Sequence, residues 1–159
     1  MALFLSSYTN KIDKKGRISV PAQFRSVLNS HSSFSGVIAY SSFINQCVEA
    51  CGMERIEHIN KSIDYLDPYS DERDAFATAI LGGSVQLSFD PEGRICLPEE
   101  LIEYAKLEDQ ACFVGKGLTF EIWHPNKFTI YAKEAREIAK NKRAVLRLQL
   151  PNSFDKRGD

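Results

Sequence analysis

Few residues in this chain are spaced for bond chemistry. Cys47 and Cys51 have a C-x3-C spacing, half of a zinc ligand set, and no second Cys or His pair completes it. His31, His58 and His124 stand far apart in the sequence. Gly115-Lys116-Gly117 lacks the G-x-x-x-x-G-K-[ST] frame of a phosphate loop, so the spacing predicts a hairpin turn there. No Ser/His/Asp arrangement or pair of carboxylates suggests catalysis. The expectation is a protein that is not an enzyme and takes no cofactor, metal or small-molecule substrate.

The residues that do stand out recur. Asp13-Lys14-Lys15-Gly16-Arg17-Ile18-Ser19-Val20-Pro21 is followed, seventy-seven residues on, by Asp90-Pro91-Glu92-Gly93-Arg94-Ile95-Cys96-Leu97-Pro98. Both runs have Asp, Gly-Arg-Ile, an aliphatic residue and Pro at the same spacing. An internal repeat of this kind governs the reading of the fold. An aspartate opening a tight turn can accept from backbone N–H groups two residues on, and the glycine supplies positive φ. One job of the Asp/Arg pair is therefore to hold a turn. A turn that presents an arginine rigidly can also read DNA, because a guanidinium can bond guanine O6 and N7 together. Lysines suit phosphate contacts, which position a protein without reading sequence. The candidate DNA-binding residues are Lys11, Asp13, Lys14, Lys15 and Arg17 in the first copy, and Asp90 and Arg94 in the second.

The elements that must position them follow from periodicity. Residues 7–12 and 17–20 read as two strands of a hairpin around the first turn. With Ile12 opposite Ile18, alternation places Tyr8, Ile12, Ile18 and Val20 on one face and Lys11, Asp13, Arg17 and Ser19 on the other. Pro21 suits the start of a short helix carrying Phe24, Val27 and Leu28. Strands are expected at 37–40 and 43–50. A helix over 51–66 has Ile56, Ile59, Ile63 and Leu66 on its buried face. A second runs from 70 to 81, with acids in its first turn, and stops at Gly82-Gly83. The second copy repeats the scheme: a strand over 85–89, the turn, then Pro98 opening a helix with Leu101, Tyr104 and Ala105. Strands at 112–114 and 120–123 and a long basic helix from Pro125 to about 142 complete it. Residues 145–150 are a possible last strand and 152–159 a polar tail. Two copies of one unit are expected to pack as a single pseudo-symmetric body.

Bulk properties narrow the class. A chain of 159 residues, 43% hydrophobic and 26% charged, has ordinary globular composition. It has no apolar run long enough to cross a bilayer and no signal-peptide pattern at its start, so a cytoplasmic protein with reduced thiols is expected. The net charge of −1 hides an asymmetry. Residues 10–25 carry five cations against one carboxylate, whereas residues 90–103 carry one cation against five carboxylates. The copies match in pattern and oppose in charge.

The run from Tyr8 to Ala22 resembles the opening of the MraZ family of bacterial proteins. So does Asp90-x-x-Gly93-Arg94-Ile95-x-Leu97-Pro98, followed by Val114-Gly115 and Glu121-Ile122-Trp123. The resemblance extends over nearly the whole chain. It implies an α+β fold of two tandem AbrB-like (SpoVT-AbrB) swapped-hairpin repeats. These would span 7–54 and 83–126, with a helical connector at 55–82, a C-terminal helix over 127–150 and a polar tail at 151–159. It also implies a nucleoid-associated transcriptional regulator that binds short double-stranded promoter repeats of the division and cell wall gene cluster. Such subunits form a ring-like homo-oligomer; the family's Asp-x-x-x-Arg signature falls on Asp13/Arg17 in one copy and on Asp90/Arg94 in the other, and the hairpin face that carries it is what meets DNA in relatives. In the second copy Ser88 stands for Lys11 and Glu92 for Lys15, so the first copy is the better DNA candidate. The alternative is an antitoxin-like module of the same fold class that holds a protein partner.

Overall fold

The computed structural model describes residues 2–30 and 34–148. Its first strand, β1 (Ser7–Lys11), is followed by β2 (Arg17–Ser19), α1 (Ala22–Asn29), β3 (Gly36–Ser41), β4 (Val48–Cys51) and α2 (Met53–Asp64). Then come α3 (Asp71–Phe76), running into a π-helical turn (Ala77–Gly82), β5 (Val85–Ser88), β6 (Arg94–Cys96) and α4 (Glu99–Tyr104). The last elements are β7 (Gln110–Gly115), β8 (Phe120–Trp123), α5 (Pro125–Asn141) and a 3-10 turn (Arg143–Val145). Among the described residues, those up to Phe128 form one compact unit and those from 129 to 148 a second.

The strand pairing departs from the hairpin expected at the N-terminus. β1 does not continue into a ladder with β2. The two touch at the Ile12–Ile18 bridge and separate. β1 instead pairs antiparallel with β7, Tyr8 opposite Phe113, and β5 pairs with β3, Leu87 opposite Val37. The main sheet is wholly antiparallel in the order β1-β7-β8-β4-β3-β5, which reads alike from either edge if β1 is matched with β5, β7 with β3 and β8 with β4. β2 and β6 leave this sheet and pair with each other, with Ile18 opposite Ile95. Each half therefore contributes a strand to the other's side of the sheet, and one strand to a shared ribbon.

Alternation explains why the ribbon lies where it does. Ile18 and Ile95 are each 1% exposed and join Val20, Leu97, Phe24 and Leu101 in the core beneath the ribbon. Phe4, Phe24, Phe113 and Phe120 stack edge-on or tilted within that core. Phe24 and Leu28 of α1, and Leu101 of α4, lie on it as their spacing predicts. The other face of the sheet carries Ile38, Tyr40, Cys51, Cys112 and Trp123, with Ile63 of α2 and Ile80 of the π turn also buried. At the centre of the sheet Glu49 of β4 and Glu121 of β8 are register partners. Trp123 Nε1 donates to Glu121 at 2.9 Å, and the Tyr40 hydroxyl donates to Glu49. Burial, then the charge of Glu121, holds the Glu49 carboxyl above its ordinary range.

Other expectations need adjustment. Residues 43–46 are a loop rather than a strand, because Ser42 Oγ accepts from the N–H groups of Ile44 and Asn45 and turns the chain. Cys51 belongs to β4, not to the helix after it. The helix expected over 70–81 widens into the π turn after Phe76, with Ser70 Oγ capping its start by accepting from Arg73 N at 3.2 Å. All four cysteines are free thiols; Cys47, Cys51 and Cys112 are buried and Cys96 is exposed. Residues 143–148 hold a 3-10 turn rather than a strand, and residues 149–159 lie outside the described residues.

Candidate nucleic-acid interface

The two repeat turns fold alike. Asp13 Oδ1 accepts from the backbone N–H groups of Lys15 and Arg17, both at 2.9 Å, and Asp13 Oδ2 accepts from Arg17 Nε at 2.6 Å. Asp90 does the same for Glu92 and Arg94, with Arg94 Nε at 2.8 Å. Gly16 and Gly93 take φ of +83° and +78°, the region glycine enters without strain. These contacts pull both aspartates below the ordinary carboxylate range, with the N–H of the arginine four residues on as the largest cause. The aspartate thus fixes the backbone of the turn and the direction of its arginine at once.

The ribbon then joins the turns. Gly16 O accepts from Leu97 N at 2.8 Å, and Gly93 O accepts from Val20 N at 3.2 Å. Cys96 Sγ donates to Lys15 O at 3.1 Å. Register sets Arg17 opposite Cys96 and Ser19 opposite Arg94. With Ile18 and Ile95 turned into the core, those four residues are the ribbon's outward face. Arg17 and Arg94, from opposite halves of the chain, are therefore diagonal neighbours on one surface. The charge of Asp13 reaches Arg94 as well: it joins Asp90, the leading cause, and Glu92 in favouring the charged guanidinium.

The turns differ in what surrounds the arginine. Arg17 has only Asp13 as an ion-pair partner among the described residues, and Lys11, Lys14 and Lys15 flank it exposed to solvent. Arg94 also has Glu92 Oε1 at 3.6 Å from its Nη2. Sequence reasoning missed one residue at the second turn. Arg25, on α1, donates from Nε to Val20 O at 3.1 Å and lays its guanidinium against Gly93. Ile102 holds the matching place at the first turn, its Cδ1 3.4 Å from where a Cβ on Gly16 would be. A cation standing for an aliphatic residue at otherwise matching repeat positions was the available signal.

A two-stranded ribbon fits the width of a DNA major groove. The fold and this surface together define an α+β protein built to display a paired-arginine ribbon. The family model described as "MraZ protein, putative antitoxin-like" matches residues 80–148. The chain is 55% identical over 147 residues to the transcriptional regulator MraZ of Rickettsia canadensis (strain McKiel), covering 92% of this chain and 98% of that one. It is 56% identical to the transcriptional regulator MraZ of Rickettsia rickettsii (strain Sheila Smith), with the same coverage. The chain belongs to the MraZ family. Proteins of this family are transcriptional regulators, not enzymes. Among the described residues no group of His, Cys, Asp and Glu could hold a metal ion, and no helix is long and apolar enough to cross a membrane.

Proposed function

We propose that this chain regulates transcription by binding double-stranded DNA through the outward face of the β2·β6 ribbon. The observation that carries the reading is the placement of Arg17 and Arg94 on one solvent-facing ribbon, each aimed by an aspartate bound to its Nε. Taking Nε leaves both terminal nitrogens of Arg17 for a base edge. Lys11, Lys14 and Lys15 supply phosphate contacts beside it, and affinity falls steeply with salt in consequence. Because both arginines share a surface, the second copy enters the groove with the first. Its role is wider than completing the core.

The targets we propose are short repeats upstream of a division and cell wall gene cluster, bound by a ring-like homo-oligomer. A single ribbon spans a short site, and several ribbons held in one assembly gain affinity through effective concentration. Footprinting the purified protein on the DNA upstream of its own coding region tests this. Protection at regular intervals, lost as salt rises, supports the reading, and uniform coverage of unrelated DNA refutes it.

A second reading has its own observation, the antitoxin-like description of the matching family model. α5 carries exposed Ile130 and Ile138, and Val145, Leu146 and Leu148 beyond it are exposed too, an apolar series that a protein partner could cover. Copurification of a second protein in fixed ratio, with no salt-sensitive DNA binding, would favour it.

A further inference from the structure

We propose that Arg25 is a phosphate-contacting residue of the second turn, lent by the first half of the chain. The inference rests on the DNA-binding reading of the ribbon. Asp90 and Glu92 leave the second turn with Arg94 as its own single cation, so by its own residues that turn repels a phosphate backbone. Arg25 crosses from α1 to reach it. Its Nε is anchored on Val20 O at 3.1 Å, and the same Val20 residue donates its N–H to Gly93 O at 3.2 Å. Beyond that anchor the guanidinium lies over Gly93, where an added Cβ would come 2.8 Å from Cζ. Glycine here does two things: it takes positive φ and it leaves the space that Arg25 fills.

No carboxylate among the described residues is within ion-pair distance of Arg25. Its side chain is partly buried and directed, rather than free on a flexible stem. A cation held next to an acidic turn without an ion pair keeps its terminal nitrogens for an external anion. With Arg25 counted, the second turn has two cations against two carboxylates and no longer opposes DNA. The first turn, already rich in lysine, has Ile102 in the corresponding place and needs no such addition.

The test uses the full-length protein, with a labelled duplex from the region upstream of its coding sequence and a scrambled duplex of equal length. Dissociation constants are measured from roughly 50 to 200 mM salt. Arg25→Gln should weaken binding to both duplexes by the same factor and flatten the plot of log Kd against log salt by about one unit for each phosphate it no longer neutralises. Arg25→Lys should keep the wild-type slope. An unchanged slope in Arg25→Gln overturns the proposal. So does a slope that falls equally in Arg25→Lys, because Arg25 then serves only to brace the turn through Val20. Arg17→Ala separates the two levels: if it too binds both duplexes like wild type, the ribbon reading itself fails and this proposal with it.

Discussion

Arg17→Ala is the perturbation that weighs most on the ribbon. Asp13 Oδ2 holds Arg17 Nε at 2.6 Å, and the side chain remains 39% exposed, so both terminal nitrogens are presented without further ordering. A bidentate contact from such a group to guanine discriminates by about 1–3 kcal/mol. That corresponds to roughly a 5- to 150-fold loss in Kd for the cognate duplex, with far less change on a scrambled one. Arg94→Ala should lose less. Its side chain is 27% exposed and Glu92 must give up Nη2, 3.6 Å away, before that nitrogen reaches a base. The Arg17–Asp13 pair is solvent-exposed and such pairs add little to stability, so Arg17→Ala should unfold no more readily than wild type. The assay is anisotropy titration of both duplexes at fixed salt, with thermal unfolding as the control. If Arg17→Ala keeps its preference for the cognate duplex, the base-reading role is wrong. If Arg94→Ala costs more than Arg17→Ala, the argument from Glu92 is wrong.

Three other outcomes are expected. Gly16→Ala places an L-residue at φ +83° with its Cβ 2.7 Å from Leu97 O, which should cost at least about 1–2 kcal/mol and lower Tm along with DNA affinity; an unchanged Tm contradicts it. Glu49→Gln should raise stability at neutral pH, because a carboxyl whose folded pKa is raised favours the fold only while protonated. That advantage should shrink as pH falls through the carboxylate range, whereas Asp13 and Asp90, whose pKa values are depressed, lose their contribution at low pH equally in both proteins; a gap that widens with acidity refutes this. A thiol reagent should label Cys96 in the folded protein and spare Cys47 and Cys51, whose thiols burial pushes up to about 12; mass mapping of the adducts decides.

Much of this was legible in the sequence because the signals are local. Asp13 and Asp90 cap their turns as turn chemistry dictates, and Ile18 and Ile95 face inward as alternation dictates. Alternation decides which face a residue takes but not which strand lies beside it. β1 and β2 look like a hairpin to any local rule, yet β1 pairs with β7, whose Phe113 and Ala111 lie in the common core. The same limit hid the union of Arg17 and Arg94, since nothing near either residue announces β2·β6 pairing. Phe43 and Ile44 misled for another reason: an apolar pair suggests a strand, while Ser42 satisfies the backbone as a loop, leaving them 58% and 76% exposed.

The exchange of strands has a consequence for synthesis. When a ribosome has made only the first half of the chain, β1 exists without β7 and β2 without β6. Its hydrogen-bonding edges, and Ile18 beneath the ribbon, must wait until β6 and β7 have been made. Pairings this distant in sequence form late, after the entropy of closing a long loop has been met. A nascent or truncated first half therefore presents unsatisfied edges that another nascent chain's second half could complete. Two polypeptides translated side by side on one message are thus natural candidates for exchanging halves before either has closed on itself.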